Sequence, residues 1–209
     1  MANVAIMGFG TVGSGVAEVL RMNRESIARK LGEPLRLQYI LDVRDLSATE
    51  YAGVAVKDFS VLESDPDLDV VVESIGGAKV ALDFTRRALL AGKHVVTSNK
   101  ELVAAHGKEL LAIAREKNVN YLFEASVGGG IPVLRPLFQC LAGNQIEEVV
   151  GILNGTTNYI LTRMVKGGVP FGEALQEAQA KGYAEQNPAA DVEGLDAGRK
   201  ICILSDLAW

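Results

Sequence analysis

A strand-length apolar run, Val4–Met7, leads straight into Gly8-Phe9-Gly10-Thr11-Val12-Gly13, and an amphipathic pattern then continues to about Lys30. G-x-G-x-x-G between a strand and a helix constrains a chain more than any other feature here, because each glycine answers a separate steric demand. Gly8 permits a tight turn, Gly10 lets a pyrophosphate approach the backbone, and Gly13 packs helix against strand. The helix start supplies unpaired N–H groups and a partial positive charge for phosphate. Gly8, Gly10, Thr11, Val12 and Gly13 are therefore candidate dinucleotide-binding residues, against the alternative of a purely structural turn.

The pattern that follows fits such a frame. Leu35–Asp42 reads as a second strand, Asp69–Glu73 as a buried strand, Lys79–Ala91 as a helix stopped by Gly92, and His94–Thr97 as another strand. A helix around Glu109–Lys117 leads to Tyr121–Glu124. Strands alternating with helices predict a parallel sheet covered on both faces, with ligands at the carboxyl ends of the strands. Ser74, Gly76, Thr97, Ser98 and Lys100 lie at that edge and are further cofactor-binding candidates. Lys100 is a cation at a predicted helix start, where cations are disfavoured; it is either a solvated residue or a functional one. His94 begins its strand, away from that edge, and reads as structural. Asp42 followed by Arg44 ends the second strand. An acid there suits the ribose hydroxyls of NAD and an arginine the 2′-phosphate of NADP, so the pair leans to NADP with NAD tolerated, a solvated turn being the alternative.

A net charge of −5 without a basic run argues against a nucleic-acid surface, and no apolar stretch approaches the ~20 residues that cross a bilayer. The start MANVAIMGFG lacks a signal-peptide pattern. Cys140 and Cys202 read as reduced core thiols of a cytosolic protein, and with His94 and His106 they make a zinc site improbable.

After Gly130 the alternation fades, which places a domain boundary there. Ile131–Leu141 begins with Pro132, suited to a first helical turn, and Ile146–Leu153 reads as a strand. Asn154–Asn158 is a polar turn, a ligand loop or simply a turn with an N-cap. Pro170–Lys181 is a helix stopped by Gly182. The densest charge lies in Gly182–Lys200, with Glu185, Asp191, Glu193, Asp196, Arg199 and Lys200. Asp191 is an expected N-cap for a helix running from Val192. Asp196 and Lys200 then share a face at i,i+4. The bland reading is an exposed ion pair. Against it, Leu195, Ile201, Ile203, Leu204 and Leu207 cover most of the helix circumference and imply burial, and a buried pair points to a site.

With these motifs on the page, the chain resembles homoserine dehydrogenase over its whole length. The carriers are GFGTVG at Gly8–Gly13, ESIGG at Glu73–Gly77, VTSNKELVA at Val96–Ala104, EASVGGGIP at Glu124–Pro132, NGTTNYIL at Asn154–Leu161, and GYAE with NPAADVEGLDAGRK between Gly182 and Lys200. The resemblance implies a Rossmann-type α/β fold, a doubly wound parallel sheet over residues 1–130, followed by part of an α+β substrate/dimerisation domain over 131–209. It implies NAD(P)-dependent reversible reduction of L-aspartate 4-semialdehyde to L-homoserine, toward threonine and methionine. Lys100 and Lys200 would flank the substrate, with Lys200 as acid/base and Asp196 near the reacting oxygen. Glu185 and Asp191 would hold the amino-acid end, and Gly155, Thr156 and Tyr183 would help form the pocket. Carbonyls of Glu124, Val127, Gly129 and Ile131 would hold a monovalent cation, Na+ or K+. Family chains continue beyond Trp209, so this chain is expected to be either a fragment or a shortened homologue, and a cytoplasmic homodimer without nucleic-acid or membrane partners is expected at full length. Where members often read E-P-D-P, this chain has Glu185-Gln186-Asn187-Pro188, which alters loop charge between the implied ligands. The alternatives are another nicotinamide-dependent oxidoreductase of this layout, or a nucleotide-sensing module without turnover.

Overall fold

The computed structural model describes residues 1–209 and divides into two compact units, Met1–Gly130 and Ile131–Trp209. In the first, a six-stranded parallel sheet is built from β1 (Ala2–Met7), β2 (Leu35–Leu41), β3 (Ala55–Val56), β4 (Val70–Glu73), β5 (His94–Thr97) and β6 (Tyr121–Leu122). Their order is β3-β2-β1-β4-β5-β6, so the chain reverses direction across the sheet between β1 and β4, the crevice where dinucleotides bind. β1 pairs with both neighbours, from Ala2 opposite Leu35 and from Val4 opposite Val70. Val4–Met7, Ile40, Val71 and Val95 are buried, as continuous apolar runs must be in a sheet covered on both faces.

The helices of this unit are α1 (Thr11–Met22), α2 (Arg24–Leu31), α3 (Ser60–Ser64), α4 (Lys79–Leu90) and α5 (Lys100–Glu116). The single helix expected to Lys30 is broken. Asn23 closes α1 with both its backbone N–H and its side-chain amide on the Val19 carbonyl, and α2 starts beyond it. α5 begins nine residues before the expected Glu109, because the Asn99 side chain accepts the Leu102 N–H and caps it. His94 has the structural place expected of it, its Nδ1 accepting the Asn120 N–H at 2.9 Å.

The second unit is helical: α6 (Gly155–Gly167), α7 (Phe171–Ala180), α8 (Ala189–Val192) and α9 (Leu195–Ala208), with α6 and α7 packed over Ile160, Ala174, Ala178 and Ala184. Several expectations fail here. Ile146–Leu153 forms no strand, since no neighbouring strand pairs with it. The expected helix from Pro132 starts later, around a π-helical turn at Pro136–Cys140, where the Leu141 N–H reaches back to the Pro136 carbonyl. Asp191 is not an N-cap. It sits inside α8, and Gly194, in the left-handed region at φ 78°, separates α8 from α9.

Cys140 and Cys202 are exposed rather than core thiols. The reason for Cys202 lies in the helical period. Asp196, Ile203 and Leu204 are buried and Lys200 largely so, which fixes one inward face; Leu195 and Cys202 fall on the opposite one. The apolar residues of α9 therefore do not bury its whole circumference, but the Asp–Lys pair lies on the side that is buried. No helix is long and apolar enough to cross a membrane.

Candidate active site

The glycine turn has the geometry its spacing demands. Gly8 adopts φ 88°, and a Cβ there would meet the Ser74 carbonyl oxygen at 2.8 Å. A Cβ on Gly13 would lie 1.9 Å from the Gly8 carbonyl oxygen. These two glycines are required by the protein's own packing. At Gly10 a Cβ would meet no protein atom within 4 Å, so that position leaves open space just before the first N–H groups of α1. Thr11 and Val12 follow as exposed residues of the first helical turn.

At the end of β2, Asp42 is fully engaged. Its carboxylate accepts the Phe9 N–H at 2.6 Å and the Arg44 N–H at 2.8 Å, and takes two guanidinium bonds from Arg44 at 2.9 Å. The Arg44 guanidinium beside it, helped by the two backbone N–H groups, holds the Asp42 carboxyl well below the usual carboxylate range. The Asp42 side chain is 7% exposed and that of Arg44 56%, so the cation is the solvent-facing member at the edge of the dinucleotide crevice.

Beyond β4 and β5 the other cofactor candidates cluster as expected of a carboxyl edge. The Ser74 hydroxyl bonds the Gly8 carbonyl at 2.7 Å, fastening the loop after β4 to the glycine turn. Gly76 belongs to the same loop and Ser98 to the turn between β5 and α5, and Lys100 is the first residue of α5. The Thr97 hydroxyl faces inward: it donates to Glu73 at 2.5 Å and accepts from the Asn99 N–H at 2.9 Å.

In the second unit the Asp196–Lys200 pair is close and largely desolvated, at 2.7 Å with side-chain exposures of 6% and 15%. Lys200 Nζ also donates to the Leu153 carbonyl at 2.7 Å. Asp191 joins the cluster through Asn154, whose amide donates to Asp191 Oδ1 at 2.7 Å and Asp196 Oδ2 at 3.0 Å. The same side chain caps α6 by accepting the Thr157 N–H at 2.8 Å. Asn154 is not among the site residues that the sequence suggests. The available signal was its place immediately before a helix start, where an asparagine oxygen is used as a cap and its amide is left to point elsewhere.

Gly155, Thr156 and Tyr183 line one open cleft of about 680 Å³ with Asn158, Tyr159 and Thr162, large enough for a small amino acid. The Thr156 hydroxyl holds the Tyr183 carbonyl at 2.7 Å. Glu185 is exposed and outside both groups; its backbone carbonyl accepts from Gln179. Of the implied cation ligands, Glu124 opens a 3₁₀ turn, Val127 is buried, Gly129 takes φ 61°, and Ile131 is exposed. No group of three or more His, Cys, Asp or Glu side chains is placed to hold a metal ion.

Comparison with known proteins adds a second line. Residues 8–124 match the family description "Homoserine dehydrogenase, NAD binding domain" and residues 132–209 match "Homoserine dehydrogenase". The homoserine dehydrogenase of Neisseria gonorrhoeae is 46% identical over 209 residues, covering 99% of this chain and 48% of that one. A crystal structure of the Thiobacillus denitrificans homoserine dehydrogenase superposes with a TM-score of 0.91 at 44% identity, over 100% of this chain and 49% of that one. A hyperthermophilic archaeal homoserine dehydrogenase in complex with NADPH superposes at 0.85 and 28% identity, over 100% and 70%. The chain spans about half the length of the curated relatives it matches.

Proposed function

The chain belongs to the homoserine dehydrogenase family, and from that premise we propose that it serves the reversible reduction of L-aspartate 4-semialdehyde to L-homoserine with NADPH or NADH. The observation that carries the reading is the desolvated Asp196–Lys200 pair, held by Asn154 and the Leu153 carbonyl within the family's second domain.

In this reading residues 1–130 are the cofactor domain and 131–209 part of the substrate domain. The glycine turn and the N-terminus of α1 receive the pyrophosphate, with Gly10 leaving the room it needs. Arg44, exposed beside a neutralised Asp42, takes the 2′-phosphate of NADP and makes NADP the preferred form. Ser74, Gly76, Thr97 and Ser98 shape the edge on which the rest of the cofactor lies, and Lys100 is the cation that edge contributes to the reaction. The nicotinamide supplies or accepts the hydride when bound.

The protein must then handle one proton. As the aldehyde carbon gains hydride, its oxygen gains electron density, and Lys200 Nζ donates a proton to it directly or through water. A lysine ammonium has three N–H donors. Asp196 Oδ2 and the Leu153 carbonyl take two, and the third is the one assigned to the substrate oxygen. In the reverse direction Lys200, deprotonated, accepts the hydroxyl proton. Asp196 fixes the lysine and lies near the reacting oxygen; Asp191 and Glu185 meet the substrate ammonium, and Gly155, Thr156 and Tyr183 line its cleft. The carbonyls of Glu124, Val127, Gly129 and Ile131 are assigned to Na+ or K+, since oxygen donors suit hard cations. A cytoplasmic homodimer working toward threonine and methionine is the setting we assign to the full-length protein.

The test is direct: mix the chain with L-homoserine and NADP and follow the absorbance of reduced cofactor. Turnover supports the reading. Turnover only with another alcohol points to a different oxidoreductase, and cofactor binding without turnover to a nucleotide-binding module.

A further inference from the structure

Glu73, the last residue of β4, is fully buried at 0% exposure, and the groups that hold it are neutral. Its Oε1 accepts the Ile75 N–H at 2.7 Å and its Oε2 the Thr97 hydroxyl at 2.5 Å. Burial pushes its carboxyl above the usual range, while these two bonds pull the other way. A carboxylate is a costly way to fill a core position, where an apolar side chain of similar volume serves at least as well. Its position shows what it does instead.

The bonds that start at Glu73 run through three separate loops of the carboxyl edge. The Ile75 N–H belongs to the loop after β4, which Ser74 fastens to the Gly8 carbonyl of the glycine turn. Thr97, at the end of β5, passes its own acceptor site to the Asn99 N–H. Asn99 Nδ2 returns to the first loop by donating to the Ile75 carbonyl at 3.1 Å and the Gly77 carbonyl at 2.8 Å, and its Oδ1 caps α5 at the Leu102 N–H. The circuit is closed: Glu73 to Ile75, loop to Asn99, Asn99 to Thr97, Thr97 to Glu73. Lys100 is the next residue after Asn99.

We propose that Glu73 is a positioning residue for the cofactor edge, a buried carboxylate that locks the loop Ser74–Gly77 and the Asn99–Lys100 helix start into one rigid rim through Thr97. Thr97 then acts by its inward hydroxyl rather than by touching the cofactor with it. The proposal rests on the reading of the first unit as a nicotinamide cofactor domain. The Ile75 N–H and the Thr97 hydroxyl both arrive on Glu73 as donors, on different oxygens, so a carboxylate accepts both and a carboxamide, with one oxygen, accepts only one. In Glu73→Gln the amide NH2 either faces the Ile75 N–H, which opens that arm, or faces the Thr97 hydroxyl, which must then accept and leaves its own buried O–H without an acceptor.

The experiment uses the 209-residue chain and reads NADPH affinity by nicotinamide fluorescence, with urea midpoints taken alongside. Glu73→Gln and Thr97→Val are expected to weaken NADPH by about tenfold, because a rim no longer locked must be ordered when the cofactor binds. Thr97→Ser, which keeps the hydroxyl, is expected to restore affinity. Unchanged affinity in folded Glu73→Gln and Thr97→Val overturns the proposal even if their urea midpoints fall, because Glu73 is then only a core stabiliser. Equal losses in Thr97→Ser and Thr97→Val overturn it too, since the methyl and not the hydroxyl would matter. If the unaltered chain binds no nicotinamide cofactor, the cofactor reading itself falls, and the proposal with it.

Discussion

The two units solve the burial of a carboxylate in opposite ways. In the first, Glu73 is held by an N–H two residues on and a hydroxyl 24 residues on, within a frame of parallel strands. In the second, Asp196 is held by a cation four residues on and by Asn154, 42 positions away. The donors of the first arrangement are neutral groups that do not give up protons at ordinary pH, which suits the positioning role proposed for it. The second sets an ammonium beside a carboxylate, on a unit that leaves Val150 81% and Ile152 70% exposed. The roles proposed above, a rigid rim for the first unit and proton transfer for the second, divide along that difference.

Replacing Lys200 tests that division most sharply. Lys200→Ala is expected to lower kcat by roughly 10²–10⁴-fold, the usual worth of a general acid, with NADPH affinity nearly unchanged. It also strands Asp196 in a desolvated position, so a stability loss of about 3–5 kcal/mol is expected, read from urea unfolding. Near-normal turnover would remove the proton-donor role.

The next contrast lies within the glycine turn. Gly10→Ala adds a methyl where no protein atom is within 4 Å, so stability should hold while NADPH weakens by about 10- to 100-fold, as expected when bonds to a charged group are pushed apart. Gly13→Ala drives a Cβ to 1.9 Å from the Gly8 carbonyl oxygen and should cost about 1–3 kcal/mol of stability as well. If both variants behaved alike, the separation of ligand-imposed from packing-imposed glycines would be lost.

How far the sequence revealed this follows from the same contrast. The parallel strands and the glycine turn were readable because their signals are local: continuous apolar runs, breakers between them, and three glycines at fixed spacing. The i,i+4 pair on α9 was readable for that reason too. Asn154 was not, because its role depends on two carboxylates 37 and 42 residues away. Nor was the exposure of Cys202, since a run of apolar residues does not tell which side of a helix finds a partner. The strand expected at Ile146–Leu153 failed on similar grounds: propensity proposes a strand, but pairing makes one.

Asn154→Ala measures the non-local part directly. It removes the α6 cap and both bonds to Asp191 and Asp196, and should lower stability by about 1–2 kcal/mol. If the cluster orients Lys200, kcat should fall while NADPH affinity holds. A fall in stability with kcat intact would leave Asn154 as a cap and nothing more.

The smallest expected effect is the most discriminating for the first unit. Arg44→Ala should weaken NADPH by about tenfold while leaving NADH within about twofold, because one charge-assisted contact to the 2′-phosphate is lost; equal losses for both would break the assignment. The same variant has a pH signature. With Arg44 present, the Asp42 carboxyl is held below its unfolded value of about 3.9, so it contributes stability that is complete above that pH and lost as pH falls through the folded value. Without the guanidinium the folded value rises toward the unfolded one and the contribution shrinks. The urea midpoints of the two proteins should therefore differ at pH 7 and converge as the pH is taken below about 4. A gap that persisted undiminished into acid would mean that Arg44 supports the fold by packing rather than by its charge on Asp42, and the pair would lose its reading as a neutralised acid with an exposed cation.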